Sequence, residues 1–173
     1  MMRNFTFSSR PKEVSEASDS FLQCVVSALG EIKDPEMPTV SLAELGMIYD
    51  VDHHQGRVTV KLLPTFVGCP ALHLMRSQVE SKLVRIEGVA SVDVQFVMDE
   101  SWTTDRITEE GRKKIHDFGI APPSAEFEPH KALSCSYCGA SDTEVVSMFG
   151  PTACRAIYYC KACNQPFEGM KFI

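Results

Sequence analysis

Two pairs of cysteines near the C-terminus constrain this chain more than any other feature. Each pair has the spacing Cys-x2-Cys, and 21 residues separate the pairs, one more than is usual for such sites. A two-residue spacer lets both sulfur atoms of a tight turn face one ion at about 2.3 Å. The four residues are Cys135, Cys138, Cys160 and Cys163. They predict a zinc ribbon whose ion is structural, because protein atoms fill all four ligand positions. A redox dithiol and an iron–sulfur cluster are the alternatives.

The segment around these cysteines is too short to fold on a hydrophobic core of its own, so a metal staple is expected. Strand-like stretches at 144–149 and 155–159 predict hairpins clamped by one tetrahedral ion. A fifth cysteine, Cys154, is not needed as a ligand, and we interpret it as a small buried apolar residue.

The rest of the chain alternates between helical and strand periodicity. Apolar spacing predicts a helix from about residue 18 that ends at Asp34-Pro35, with Cys24 in the core. The pattern is completed by strands at 45–52, 57–63 and 92–98 and by helices at 72–86 and 108–116. The predicted fold class is α+β: a small three-stranded mixed sheet with helices, followed by a C-terminal zinc ribbon.

The domain organisation follows from composition. Residues 1–17 are polar and predicted to be disordered or loosely ordered, and residues 18–120 form the α+β domain. Three prolines in about nine residues mark 121–131 as a linker, and 132–173 as the ribbon.

Composition also limits the partners. The 173 residues carry a net charge of −6, which argues against binding to nucleic acid or an anionic membrane surface. Neither a secretory signal nor an apolar run of membrane-helix length is present in the printed sequence. We therefore expect a cytoplasmic protein whose cysteines are reduced thiols or metal ligands.

Two further sites carry weaker signals. Cys69 stands where a loop is predicted to meet a helix, and backbone amides there favour a thiolate by less than about one pKa unit. A buried structural role and a reactive role for Cys69 both remain open. Asp34-Pro35-Glu36 fits a helix end, a turn or a hard metal ligand. No nucleophile elbow, phosphate loop or dinucleotide fingerprint is present.

Several segments resemble known families. Three segments resemble the small domain shared by SufT-type iron–sulfur assembly proteins: Ile32–Glu36, Leu45–Ile48 and Pro64–Ala71. Seven further segments, all in the second half of the chain, resemble the D (or J) subunit family of the phenylacetyl-CoA epoxidase system. They are Trp102–Asp105, Glu109–Arg112, Phe118–Pro123, Phe149–Cys154, Tyr159–Cys163, Pro166-Phe167 and Lys171-Phe172. The resemblance runs from about Phe21 to the C-terminus and covers both domains in order.

The resemblance implies a role in aerobic phenylacetate breakdown. Such proteins accompany a di-iron oxygenase and an iron–sulfur reductase but supply no oxygenase chemistry. It implies an accessory protein rather than an enzyme, one that assists metal or iron–sulfur cluster assembly in those partner subunits. Carried over by position, Cys69 and Asp34 contact iron or a cluster transiently. A general iron–sulfur carrier and a non-catalytic docking subunit are the alternatives, and homodimerisation is left open.

The chain departs from the family pattern at three places. Phe66 and Val67 replace the usual tyrosine and serine, and Glu100-Ser101 replaces a proline before the tryptophan motif. The chain ends in Ile173 where the family commonly has cysteine, which leaves Cys154 without a partner that it would otherwise have.

Overall fold

The computed structural model describes residues 16–123 and 133–171, with side chains from Ser20 onward. Residues 1–15 of the predicted N-terminal segment and 124–131 of the predicted linker lie outside the described residues. The helices are α1 (Glu16–Gly30), α2 (Leu72–Leu83) and α3 (Glu109–Asp117), with a 3-10 turn at Thr104–Arg106. The strands are β1 (Ile48–His54), β2 (Arg57–Leu62), β3 (Ser91–Phe96), β4 (Ile120–Ala121), β5 (Thr143–Ser147), β6 (Arg155–Cys160) and β7 (Gln165–Met170).

The first domain contains the predicted three-stranded mixed sheet, in the order β1-β2-β3. β1 and β2 form an antiparallel hairpin, and α2 carries the chain across so that β3 runs parallel to β2. The central strand β2 is the most buried, because Val58, Val60 and Leu62 are fully inaccessible. α2 completes the core with a stripe of Met75, Val79 and Leu83. The predicted fold class is confirmed.

Helix α1 differs in two respects from the sequence prediction. It ends at Gly30, four residues before Asp34. Its buried positions are Val25 and Leu29, and Cys24 is exposed. The prediction of a core position for Cys24 was wrong, because consecutive helical residues point about 100° apart and Val25 occupies the buried face.

The segment after β3 is anchored to the loop that precedes β1. The Trp102 side chain is buried and its Nε1 donates to the carbonyl of Leu45 at 2.8 Å. Arg106 Nε donates to the carbonyl of Gly46 at 3.1 Å. Gly46 has a left-handed backbone (φ 66°), and a Cβ there would lie 2.3 Å from the carbonyl oxygen of Arg106. Only glycine permits both this conformation and this close approach.

The ribbon has a second sheet in the order β4-β7-β6-β5. The predicted strands are present as β5 and β6, and β7 was not predicted, since Pro166 and Gly169 are poor strand formers. Proline is tolerated there because β4 pairs only with Glu168 and Gly169, which leaves β7 at an open sheet edge beside Pro166.

The two domains are joined by a pair of strands and by side chains that pack across the boundary between them. β4, which contains the first residue of the predicted linker, pairs in parallel with β7 of the ribbon. Ile120 packs in the core of the first domain and Ala121 in that of the ribbon, while Met170 of β7 packs into the core of the first domain. The predicted boundary at residue 120 therefore falls inside a strand of the ribbon sheet. Throughout the described residues, no helix combines the length and the apolarity that crossing a bilayer would take.

The anchoring loop gives a stability prediction. We expect Gly46→Ala to lower the free energy of unfolding by about 2–4 kcal/mol, since left-handed strain adds to the clash with Arg106. Gly119→Ala is the matched control, because Gly119 also has a positive φ (95°) but its Cβ would meet nothing within 4 Å. This control should cost only the conformational part, about 1–2 kcal/mol. Equal losses for both variants in urea unfolding would show that the close approach at Gly46 contributes nothing.

Candidate functional site

The two cysteine pairs meet in one cluster of four sulfur atoms. Cys135 Sγ lies 3.7 Å from Cys163 Sγ, and Cys138 Sγ lies 3.6 Å from Cys160 Sγ. All four sulfur atoms lie within 4.8 Å of one another. A tetrahedral ion with metal–sulfur bonds of about 2.3 Å separates its ligands by about 3.8 Å. The cluster therefore has the dimensions of a mononuclear tetrathiolate site.

Local backbone geometry brings each pair into position. The residue after each pair is left-handed, Gly139 with φ 74° and Asn164 with φ 57°. This turn points backbone amides at the sulfur atoms, as where the N–H of Tyr137 donates to Cys135 Sγ at 3.4 Å. Glycine and asparagine are the residues that adopt this conformation most readily.

The thiols of the second pair have opposite acidities. Amide donation from Cys163, with further donation from Ala162, lowers the pKa of Cys160 to about 7. Burial, together with the neighbouring sulfur atoms of Cys160, Cys138 and Cys135, raises the pKa of Cys163 to about 12. Four thiolates cannot gather at this distance without a cation to offset their repulsion. The donor set thus fits a thiophilic divalent ion such as zinc.

Asp34 forms the second candidate site and sits in a buried turn. Its Oδ1 accepts hydrogen bonds from the backbone N–H groups of Glu36 at 2.8 Å and Met37 at 2.9 Å. Burial raises the pKa of the Asp34 carboxyl, and the two amides partly oppose that effect. Among the described residues, both side-chain hydrogen bonds of Asp34 end on Oδ1. The Asp34 side chain is thus held in place through one oxygen.

Cys69 lies in the loop that leads into α2. Its backbone N–H donates to the carbonyl of Phe66 at 3.0 Å, and its half-buried thiol accepts the N–H of Ala71 at the start of the helix. Burial raises the pKa of Cys69, and this outweighs the Ala71 amide. The amide effect expected from sequence is present, but the thiol stays protonated at neutral pH unless a cation displaces the proton.

The ribbon contacts the turn that contains Asp34 through Arg155, the residue directly after Cys154. Cys154 is buried with 8% exposure, and the charges of Glu36 and Asp34 raise the pKa of its thiol after the larger effect of burial. Arg155 is also buried, with 7% exposure, and its Nη2 donates to the carbonyl of Glu36 at 3.0 Å.

We call Asp34, Glu36, Cys69, Cys154 and Arg155 the interdomain cluster. After the larger effect of burial, the charges of Glu36, Cys154 and Asp34 raise the pKa of Cys69. Sequence analysis selected Asp34 and Cys69 separately and did not connect Cys154 or Arg155 with them. The available signal was an unassigned cysteine followed directly by arginine, but no local pattern says what lies opposite them.

Comparison with known proteins gives a consistent assignment for both domains. A family model described as "Iron-sulfur cluster assembly protein" matches residues 22–95, and one described as "PaaD zinc beta ribbon domain" matches residues 120–171. A crystal structure of a domain of unknown function from Bacillus anthracis superposes with a TM-score of 0.52 at 23% identity, covering 56% of this chain and 92% of that chain. That likeness shows the fold of the first domain.

Two curated relatives differ in how much of the chain they match. A Porphyromonas gingivalis protein named "Fe-S protein maturation auxiliary factor" is 34% identical over 102 residues, which cover 57% of this chain and 96% of the relative. An Escherichia coli protein, named as the D subunit of a "Putative 1,2-phenylacetyl-CoA epoxidase", is 33% identical over 150 residues, 84% of this chain and 89% of the relative. Because the second match covers 84% of this chain and 89% of the relative, and the ribbon model also matches, the chain belongs to the PaaD family.

Proposed function

We propose that this protein is a non-catalytic maturation factor that delivers iron or an iron–sulfur cluster to the oxygenase or reductase subunits of a phenylacetyl-CoA epoxidase. The observation that carries the proposal is the half-buried Cys69 thiol, which lies at the loop-to-helix junction before α2 and accepts the N–H of Ala71. The match of this domain to iron–sulfur assembly proteins supports it, as does the likeness of the whole chain to a component of an epoxidase. A cytoplasmic location is part of the proposal.

The protonation state of Cys69 suits temporary binding. Burial and the nearby carboxylates raise the pKa of the thiol, so a proton competes with the metal at neutral pH. Iron must displace that proton to bind, and the proton returns when iron leaves. Such a ligand holds its cargo less tightly than the amide-stabilised Cys160 thiol of the ribbon. This difference favours release of iron or a cluster from the first domain and permanent retention of a metal ion in the ribbon.

The sequence offers no oxygenase centre of its own. Di-iron carboxylate sites use Glu-x-x-His segments on facing helices. No such segment occurs in the printed sequence. Reaction of phenylacetyl-CoA with oxygen is thus assigned to the partner subunits.

The ribbon is proposed to make the factor specific for its client. The P. gingivalis maturation factor matches this chain over 102 residues that are nearly its full length, so the ribbon is an addition to such a domain. On the ribbon, β5 is an edge strand, and apolar side chains there and just beyond it are exposed. These are Val145, Val146, Met148 and Phe149. We assign this edge to client docking.

A general iron–sulfur carrier that serves many clients is the second candidate. The named maturation factors among the relatives favour it, because they correspond to the domain that carries Cys69 and Asp34. The two candidates differ in which enzymes fail when the protein is removed.

We predict that the ribbon cysteines hold one zinc ion per chain. Cys138→Ser should abolish zinc binding and unfold the ribbon, because structural zinc contributes about 10–16 kcal/mol to such modules at pH 7. Cys24→Ser is the control, since it makes the same chemical change at an exposed cysteine. Metal analysis and limited proteolysis of protein purified without chelators measure both effects. A zinc-free wild-type protein with a protease-resistant ribbon would contradict the assignment.

We predict that Cys69→Ala and Asp34→Asn each abolish epoxidase activity in cells that carry the variant as their only copy. Both variants should retain the ribbon zinc, because neither residue belongs to the four-sulfur cluster. Growth on phenylacetate and epoxidase activity in extracts are the measurements, with Cys24→Ala as the matched control.

Normal growth of both variant strains would refute delivery through Cys69 and leave docking as the function. A deletion strain separates the two candidates. If unrelated iron–sulfur enzymes lose activity together with the epoxidase, the protein is a general carrier.

A further inference from the structure

One peptide group joins the ribbon to the Asp34 turn, by which we mean residues 34–37. This peptide group lies between Glu36 and Met37, and the N–H of Met37 donates to Asp34 Oδ1 at 2.9 Å. Its carbonyl, that of Glu36, accepts a hydrogen bond from Arg155 Nη2 at 3.0 Å. A peptide group is planar, so the directions of its C=O and N–H are fixed relative to each other. The Arg155 guanidinium and the Asp34 carboxylate therefore contact opposite edges of one rigid unit.

The ribbon holds the backbone of Arg155 on several sides. Its N–H donates to the carbonyl of Thr152 at 3.1 Å, and its C=O accepts the N–H of Gly150 at 3.2 Å. A Cβ at residue 150 would lie 2.7 Å from the Arg155 carbonyl oxygen, so any side chain there would displace the Arg155 backbone. Across the strand pair Arg155 lies opposite Met170, which packs in the core of the first domain. The guanidinium thus extends from a fixed backbone position.

Stability alone does not explain why a guanidinium occupies this place. Arg155 is buried, and its Nη1 donates to Glu168 at 3.0 Å. Its Nε is buried too and has no acceptor in the part of the chain that the structure describes. Replacing a buried ion pair by apolar side chains of similar volume is often neutral or stabilising. What the guanidinium adds is direction, because its rigid fork sends one N–H to Glu168 and another to the Asp34 turn.

We propose that Arg155 is a positioning residue for the delivery site: it fixes the peptide group between Glu36 and Met37, and through that group the carboxylate of Asp34. The inference rests on the proposed delivery function, in which Asp34 contacts iron or a cluster. It gives the ribbon a second role besides client docking. A turn that is already held in place loses less conformational entropy when its carboxylate binds a metal.

Amide hydrogen exchange of the full chain, with zinc bound to the ribbon, tests the positioning directly. Arg155→Met keeps an extended side chain and removes the guanidinium donors. We expect the amides of Glu36 and Met37, which both donate to Asp34, to exchange at least about tenfold faster, in line with the loss of a hydrogen bond from a charged group. The midpoint of urea unfolding should stay unchanged or rise.

Two further variants complete the exchange experiment. Gly150→Ala leaves the Arg155 side chain intact but displaces its backbone, and it should also speed exchange of the two amides. Arg57→Met is the matched control, because Arg57 also pairs with a carboxylate, that of Asp93 at 3.0 Å, but on the exposed surface of the first domain. This control should leave both amides unchanged.

Binding of ferrous iron shows whether the positioning reaches the delivery site. Iron is titrated anaerobically into the zinc-loaded protein in competition with a chromogenic chelator. Arg155→Met should weaken iron binding about tenfold, the size expected when an outer partner of a metal ligand is lost. In the Asp34→Asn background Arg155→Met should cause no further loss, since its effect passes through Asp34.

The outcomes separate the positioning role from delivery itself. Unchanged amide exchange in both Arg155→Met and Gly150→Ala would refute positioning and leave delivery through Cys69 standing. Faster exchange with unchanged iron binding, or an equal loss in the Asp34→Asn background, would make Arg155 a structural contact only. If wild type retains no ferrous iron, positioning for delivery fails, and growth of the Cys69→Ala strain decides separately whether delivery stands. Unchanged zinc content is required of every variant.

Discussion

The four-sulfur cluster of the ribbon holds one end of β6, at Cys160, and Arg155 at the other end of the strand contacts the first domain. Cys160 closes β6 at the metal end, and Arg155 opens it at the other, directly after Cys154. The ribbon is too small to hold these positions by apolar burial alone. The position of Cys154 and Arg155 against the first domain thus depends on the four-sulfur cluster at the other end of β6.

The first domain contributes a complementary surface built from loops. Asp34 and Glu36 lie in the turn after α1, and Cys69 lies in the loop before α2. Both loops are held by local hydrogen bonds, including those that the backbone N–H groups of Glu36 and Met37 donate to Asp34 Oδ1. The buried carboxylate and the two thiols would repel one another if all were ionised. Burial raises the pKa of both Asp34 and Cys154, and the Arg155 cation opposes a small part of that rise.

Local periodicity was sufficient to predict the mixed sheet, α2, α3 and the metal-binding pairs, because alternation and Cys-x2-Cys spacing express short-range geometry. Periodicity was insufficient to predict the burial of Cys24, because adjacent residues of a helix point in different directions and only one of them faces the core. It also gave no indication of β7 or β4, whose pairing offsets poor strand propensity. Cys154 and Arg155 acquire their neighbours through interdomain docking, and one sequence without contacts does not encode which distant loop lies opposite.

A six-residue strand with a metal ligand at one end and the interdomain cluster at the other makes the two sites thermodynamically reciprocal. An extended strand transmits displacement along its axis with little compliance, because its ladder to β5 and β7 ties it on both sides. If metal binding at the four-sulfur cluster favours one position of β6, it also favours the arrangement of the interdomain cluster that goes with that position. The coupling free energy between the two sites is the same in both directions. Loss of an ion from the four-sulfur cluster would in this way also loosen the seat of Arg155 against the turn that carries Glu36.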